Sequence, residues 1–425
     1  MPISSAEKAI RAGEPVFWLN DDLSDSDNSG LSDKIKAAGD RMTRFAPLLS
    51  RAFPALVDTG GLVTSPLLDA SRLARALNLP KIEGRLMLKG DHELTIGGSI
   101  KARGGTHAVL AFAEQVLAKA GHPPDTVPFL NLARVRAVLA GRTISVGSTG
   151  NLGLSVGMVA VALGFRAEIH MSVDARSWKK DRLRSLGVNV IEHAGNYEAA
   201  LAAGRADAEI SETHHFIDDE DSEDLLFGYS VAAAELRDQL QAGGVTVDSS
   251  HPLFVYLPCG VGGAPVGVTV GLKAIFGRDV HCFFAEPVEA PCMLVHFLKP
   301  GASVHDFGLS GRTEADGLAV PRASVLAANL VRGHLSGIFT IADDTLFRHL
   351  HAANRDCGFR LEPSAAASFD GPSHLLDAAG CDYLAARALT SRMGDATHIF
   401  WATGGSQVPQ ADFESYYAKG EQLRS

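Results

Sequence analysis

What this chain of 425 residues lacks removes several classes of protein at once. It has five cysteines (Cys259, Cys282, Cys292, Cys357 and Cys381), an odd number, and no CxxC pair. That excludes a disulfide framework or a zinc site of ordinary spacing and fits a reducing compartment. Basic charge is short as well: 39 Lys and Arg against 49 Asp and Glu give a net charge of -10. A phosphate backbone needs a basic face, so no nucleic acid is expected as partner. The densest basic run, Ala175-Arg176-Ser177-Trp178-Lys179-Lys180-Asp181-Arg182-Leu183-Arg184, reads as a solvated helix face. The first twenty residues show no basic start followed by an apolar run, so the expected location is cytoplasmic.

Long apolar runs are missing too, once two uncharged stretches are inspected. Residues 144–165 and 253–272 are each about as long as a bilayer span. The first is broken by Gly147-Ser148-Thr149-Gly150-Asn151, the second by Pro258, Gly260, Gly262, Gly263 and Pro265. Such interruptions suit a buried strand, a tight loop and a helix, so no membrane is expected as partner. No repeat of solenoid period is present.

What is there is an ordinary globular composition, 46% apolar and 21% charged, in a chain long enough for two domains. From residue 85 the pattern alternates. Strands are expected at 85–89, 143–146, 167–171, 188–191 and 215–217, and helices at 99–118, 152–163, 175–186 and 197–210. A second alternation has strands at 253–257, 280–286 and 398–402, with a helix at 267–275. Successive βαβ units imply parallel strands. The expected organisation is residues 1–117 as the first part of a large domain, 118–217 as a small α/β domain, and 218–425 as the rest of the large one.

Open parallel sheets bind ligands in the loops that follow their strands. Four polar segments stand out. Pro258-Cys259-Gly260-Val261-Gly262-Gly263-Ala264 follows one apolar run and precedes another, so its N–H groups and a helix N-terminus can cradle a phosphate. It is not a Walker loop, and Pro265 stands where a dinucleotide fingerprint needs its third glycine, which disfavours a nucleotide-dependent oxidoreductase. Ser148-Thr149-Gly150-Asn151-Leu152-Gly153 can hold a small anion such as a carboxylate, and equally can be an N-cap cluster. Ala402-Thr403-Gly404-Gly405-Ser406 ends a strand in a hydroxyl and two glycines, which is also how a plain turn looks. Gly97-Gly98-Ser99-Ile100-Lys101-Ala102-Arg103-Gly104-Gly105 carries a lysine near a helix start. A lysine that forms a Schiff base must lose its proton, through desolvation or nearby cations such as Arg103.

In this order, Lys101, Asn151, Gly260 to Gly263 and Thr403, the segments resemble the fold type II family of pyridoxal-phosphate (PLP) enzymes. Glu362-Pro363-Ser364-Ala365 is similar to that family's Glu-Pro segment. Ala264 departs from the pattern, where a further glycine is usual. The resemblance covers about residue 44 onward. It implies an α/β fold of type II with two α/β domains, twisted, mostly parallel sheets and an active site between them. It further implies PLP as cofactor, an amino acid as substrate, Lys101 as the Schiff-base lysine and proton carrier, and Asn151 at the cofactor's phenolic oxygen. The phosphate would go to Gly260, Val261, Gly262 and Gly263, and the pyridine nitrogen to Thr403. Ser99, Ser148, Thr149, Gly150 and Asn151 would bind substrate, with Asp218 or Asp219 orienting its hydroxyl.

A monovalent cation (K+ or Na+) near Glu286 and Cys292 rests on the same resemblance. A neutral hydroxyl at the pyridine nitrogen favours β-elimination over transamination or racemisation. The finer match, including Phe216-Ile217-Asp218-Asp219-Glu220 and Phe283-Phe284-Ala285-Glu286-Pro287, is to lyases that take D-serine to pyruvate and ammonia, with D-threonine as a second substrate. The choice of enantiomer rests wholly on resemblance. The alternatives are an L-serine or L-threonine dehydratase, another β-elimination or β-replacement enzyme, and a non-catalytic binder of a phosphate ligand. Monomer and homodimer are not distinguished.

Overall fold

The computed structural model describes residues 4–24, 29–79, 82–148, 150–173, 175–194, 202, 204–206 and 213–423. Their strands are β1 (Phe17–Leu19), β2 (Leu67–Asp69), β3 (Arg85–Lys89), β4 (Thr143–Gly147), β5 (Arg166–Ser172), β6 (Asn189–His193), β7 (His214–Ile217), β8 (Leu253–Pro258), β9 (Val280–Pro287), β10 (Gly337–Ile341) and β11 (Thr397–Trp401). The chain divides into two compact units. The first holds residues 1–30, 65–93 and 233–425, the second residues 31–64 and 94–232.

The first unit is built on a seven-stranded sheet of order β1-β10-β9-β8-β11-β3-β2. The inner five strands run parallel, and β1 and β2 close the edges antiparallel. Every residue of β8, β9, β10 and β11 is buried. Parallel strands covered on both faces read as nearly continuous apolar runs. The uncharged stretch at 253–272 is therefore β8, a glycine loop and the helix Gly263–Phe276, which takes in Pro265. Proline is tolerated there because the first-turn N–H groups have no intrahelical acceptor.

The second unit carries a four-stranded, wholly parallel sheet of order β6-β5-β4-β7. Residues 144–165 are β4, a loop and the helix Asn151–Leu163, ended by Gly164 at φ 98°. This unit is larger than the expected 118–217 segment and includes Lys101. The helix Lys101–Lys119 packs on the helices Asn151–Leu163 and Glu223–Ser230, a pairing that alternation does not reveal. Arg41 and Arg44, on the helix Ser29–Ala52, both hold the Glu114 carboxylate of the helix Lys101–Lys119, at 3.0 and 2.7 Å. Most of the expected helix at 197–210 lies outside the described residues. Among those described, no helix is long and apolar enough to cross a membrane, and no cysteine is in a disulfide.

Three histidines make the fold acid-sensitive. Burial pushes His398 down to about 3 and His92 to about 4, and burial with the nearby Arg41 guanidinium pushes His107 to about 4. His398 accordingly sits neutral, stacked on Phe254 at 5.0 Å and bonded through Nδ1 to the Tyr256 hydroxyl at 2.9 Å. Unfolded imidazoles protonate near 6.5, so below that pH the unfolded chain binds more protons. Their contribution to stability is complete above pH 6.5 and declines as the pH falls toward 4. Urea midpoints measured from pH 7.5 to 4.5 should fall steadily below 6.5. A flat profile contradicts the neutral burial.

Candidate active site

The lysine belongs to the second unit. Gly97 and Gly98, at φ 69° and 60°, turn the chain into the helix that begins at Lys101. A Cβ on Gly97 would lie 2.8 Å from Ser155 Oγ, so only glycine fits this close approach. Lys101 is partly buried, and its Nζ lies 3.5 Å from Asp219 Oδ1. Burial by itself would lower the lysine's pKa, but the Asp219 carboxylate and, after it, the Tyr229 hydroxyl together outweigh burial and hold the amine above its ordinary value. Two residues earlier, Ser99 is 2% exposed and its hydroxyl has no hydrogen-bond partner among the described residues. A dry, unsatisfied hydroxyl beside a lysine is what a missing polar ligand leaves behind.

The two neighbouring aspartates differ. Asp218 is gripped by Arg205, Nε to Oδ2 at 2.6 Å and Nη2 to Oδ1 at 2.9 Å. Asp219 instead faces Lys101, in the turn that follows β7.

In the loop after β4, Ser148 Oγ accepts hydrogen bonds from Gly150 N–H and Gly153 N–H, both at 2.9 Å. Its capping function is thus realised, and its own hydroxyl hydrogen is left to donate. Thr149 lies outside the described residues. Gly150 has φ 143°, and a Cβ there would stand 2.1 Å from Lys179 Cδ. Asn151, half-buried, opens the helix. Lys179 corrects an expectation. The basic run at 175–184 is not simply a solvated face, because Lys179 and Lys180 are 2% and 5% exposed. Lys180 is held by Val173 O and Glu192, which only the β5–β6 pairing makes available.

The other segments belong to the first unit, where the loops after β8 and β11 leave adjacent parallel strands at the same end. Gly262, at φ 111°, caps the helix Gly263–Phe276. A Cβ on Gly260 would meet Gly317 O at 2.9 Å, and one on Gly262 would meet Met293 Cε at 2.4 Å. The loop is therefore side-chain-free at the start of a 14-residue helix, whose first N–H groups and dipole suit a phosphate. Both sets of residues fit PLP: an amine with a neighbouring unsatisfied hydroxyl, and a bare cradle for an anion.

Thr403, 8% exposed, lies in the loop after β11. Glu362 N–H donates to Gly404 O at 3.1 Å, so the Glu-Pro segment lies against that loop. Glu286 ends β9 with its carboxylate buried, accepting from Met293 N–H at 2.7 Å and Leu294 N–H at 2.9 Å. Burial pushes it up to about 8. Cys292 Sγ donates to Gly260 O at 3.2 Å, so the pair expected near a cation abuts the glycine loop. No cluster of three or more His, Cys, Asp or Glu suited to a metal occurs among the described residues.

Sequence reasoning missed Tyr229 and Arg205. Tyr229 has a ring centroid 5.8 Å from Lys101 Nζ. The available signal was a pair of glycines, Gly104 and Gly228, each out of place inside a helix.

Comparison with known proteins gives the family and the fold. The model of the family "Pyridoxal-phosphate dependent enzyme" matches residues 59–384, and the chain belongs to that family. It is 51% identical to a protein of Acidovorax ebreus (strain TPSY) named probable D-serine dehydratase, over 97% of this chain and 96% of that one. A protein of the same name from Paracidovorax citrulli (strain AAC00-1) is 53% identical over 87% of this chain and 83% of its own. Among solved structures, diaminopropionate ammonia lyase from Escherichia coli in complex with D-serine superposes with a TM-score of 0.76 at 17% identity. That match covers 97% of this chain and 99% of the other, and it establishes the fold.

Proposed function

We propose that the chain catalyses the α,β-elimination of D-serine to pyruvate and ammonia, and of D-threonine to 2-oxobutanoate, with PLP joined to the Lys101 amine. The observation that carries this reading is the Lys101 amine 3.5 Å from the Asp219 carboxylate, in a chain about half identical to relatives named for that substrate.

When bound, PLP supplies the electron sink that makes the Cα proton removable and lets the β-hydroxyl leave. The chain's residues do the rest. Gly260, Val261, Gly262 and Gly263 receive the phosphate on N–H groups and a helix dipole. Ser148, Thr149, Gly150 and Asn151 hold the substrate carboxylate, Ser148 through its remaining hydroxyl hydrogen, and Asn151 also reaches the cofactor's phenolic oxygen. The unsatisfied Ser99 hydroxyl is a further donor on that side. Lys101, once displaced, carries the Cα proton. Asp218 is committed to Arg205, so Asp219 is the carboxylate that orients the substrate hydroxyl. Thr403 meets the pyridine nitrogen with a neutral oxygen, which limits charge build-up in the ring.

A monovalent cation (K+ or Na+) beside Glu286 and Cys292 would favour ionisation of a carboxylate that burial disfavours. The reading places the enzyme in the cytoplasm.

Pyruvate or 2-oxobutanoate release from the four hydroxy amino acids tests the assignment. D-serine should exceed L-serine in kcat/KM by at least about 100-fold, because a site that hydrogen-bonds the substrate's polar groups rejects the wrong arrangement strongly. Preference for either L-amino acid would overturn it.

A further inference from the structure

Two helices of the second unit, Lys101–Lys119 and Glu223–Ser230, meet at glycines. A Cβ on Gly104 would lie 2.4 Å from Tyr229 Cζ and 2.8 Å from Leu225 O. One on Gly228 would lie 2.6 Å from His107 Cβ and 2.9 Å from Gly104 Cα. Glycine weakens a helix, and what it admits here is the Tyr229 ring over the turn that begins at Lys101. Tyr229 is fully buried, and its hydroxyl makes no close hydrogen bond among the described residues. Phenylalanine would fill the same space without that cost. The ionisable group beside it is the Lys101 amine, 5.8 Å from the ring centroid, and the amine and the hydroxyl shift each other's proton affinity.

We propose that Tyr229 is a positioning residue for the Lys101 amine, its hydroxyl serving as hydrogen-bond partner to Nζ while Lys101 is free of the cofactor. This rests on the reading of Lys101 given above. When Nζ takes the Cα proton, its –NH2 becomes –NH3+, and the N–H groups need acceptors. Asp219 takes one and Tyr229 Oη another. When Nζ gives the proton up, its lone pair needs a donor, which Asp219 as a carboxylate is not. A protonated phenol serves both states, and burial, the main influence on Tyr229, keeps its proton on by raising its pKa.

Tyr229→Phe retains the ring and deletes the hydroxyl. Borohydride should still fix PLP on Lys101 in the variant, while kcat falls roughly 10- to 100-fold, with KM little changed. A second readout needs no turnover. With one acceptor lost, the Lys101 ammonium is less stabilised and the amine is neutral more often. Capture of added PLP by the Tyr229→Phe apoenzyme at pH 8 should then be about 3- to 10-fold faster than in the wild type. An unchanged kcat with an unchanged capture rate would reduce Tyr229 to packing and overturn the proposal. So would losses in both that merely follow a lower folded fraction. Absence of any adduct on Lys101 in the wild-type protein is a different failure: it takes down the reading of Lys101, and this inference with it.

Discussion

Lys101→Ala should give a folded protein that forms no covalent link to PLP and whose elimination activity is lower by roughly three orders of magnitude or more, since nucleophile and proton carrier are lost together. Phosphate affinity should survive, because the bare loop of Gly260 to Gly263 and the helix behind it do not involve Lys101. The variant should therefore still retain PLP on a gel-filtration column at high cofactor concentration, and release it on dilution. Asp219→Asn gives the contrasting case. The amine loses its carboxylate, so its pKa should fall toward the ordinary lysine value or below as burial dominates. Difference spectra on PLP addition, followed by pyruvate assays, separate these outcomes.

The second large effect is on stability. Lys89, fully buried at the end of β3, donates from Nζ to Ser65 O at 2.6 Å, Ser65 Oγ at 2.6 Å and Glu235 Oε1 at 2.5 Å. Ser65 Oγ in turn donates to Asp91 Oδ1 at 2.6 Å, and Trp401 Nε1 donates to Asp91 Oδ2 at 2.9 Å. The chain carrying Thr403 is tied to the same place: Ala402 N–H donates to Lys89 O and His92 N–H to Ala402 O. Burying two charges costs several kcal/mol per ion, and mutual attraction only about offsets it, so the pair contributes little net stability. Removing one partner is another matter. Glu235→Ala takes away the carboxylate that Lys89 Nζ contacts and should destabilise the protein by about 3–5 kcal/mol, read as a lower urea midpoint. The paired change Lys89→Met with Glu235→Leu should recover most of that loss. If Glu235→Ala alone is harmless, the cluster does not brace the Thr403 loop.

Much of this was legible in the sequence because parallel strands buried on both faces announce themselves. Residues 253–257 are an unbroken apolar run and 280–286 a nearly apolar one, broken by His281 and ended by Glu286, and β8 and β9 differ from them by one residue at the C-terminal end. The loops that follow were legible for a related reason: glycines and hydroxyls between two apolar runs have few bland uses. The helix expected at 267–275 starts instead at Gly263, because glycine and Pro265 mask a first turn that needs no N–H donors. Edge strands β1 and β2, three residues each, carry no periodicity to read. The extent of the second unit was hidden because the helix Lys101–Lys119 packs on Glu223–Ser230, a helix far along the chain. Asp218 and Asp219 were equivalent in sequence, and only the Arg205 guanidinium separates their roles. Tyr229 was invisible because a tyrosine in an apolar stretch reads as core, and its unsatisfied hydroxyl exists only in three dimensions.

Borohydride reduction of the PLP-loaded wild-type protein, followed by proteolysis and mass mapping, tests the central assignment most directly. A reduced pyridoxyl adduct confined to the peptide carrying Lys101 is the predicted result. An unmodified Lys101 peptide, or an adduct on Lys179 or another lysine, would contradict it.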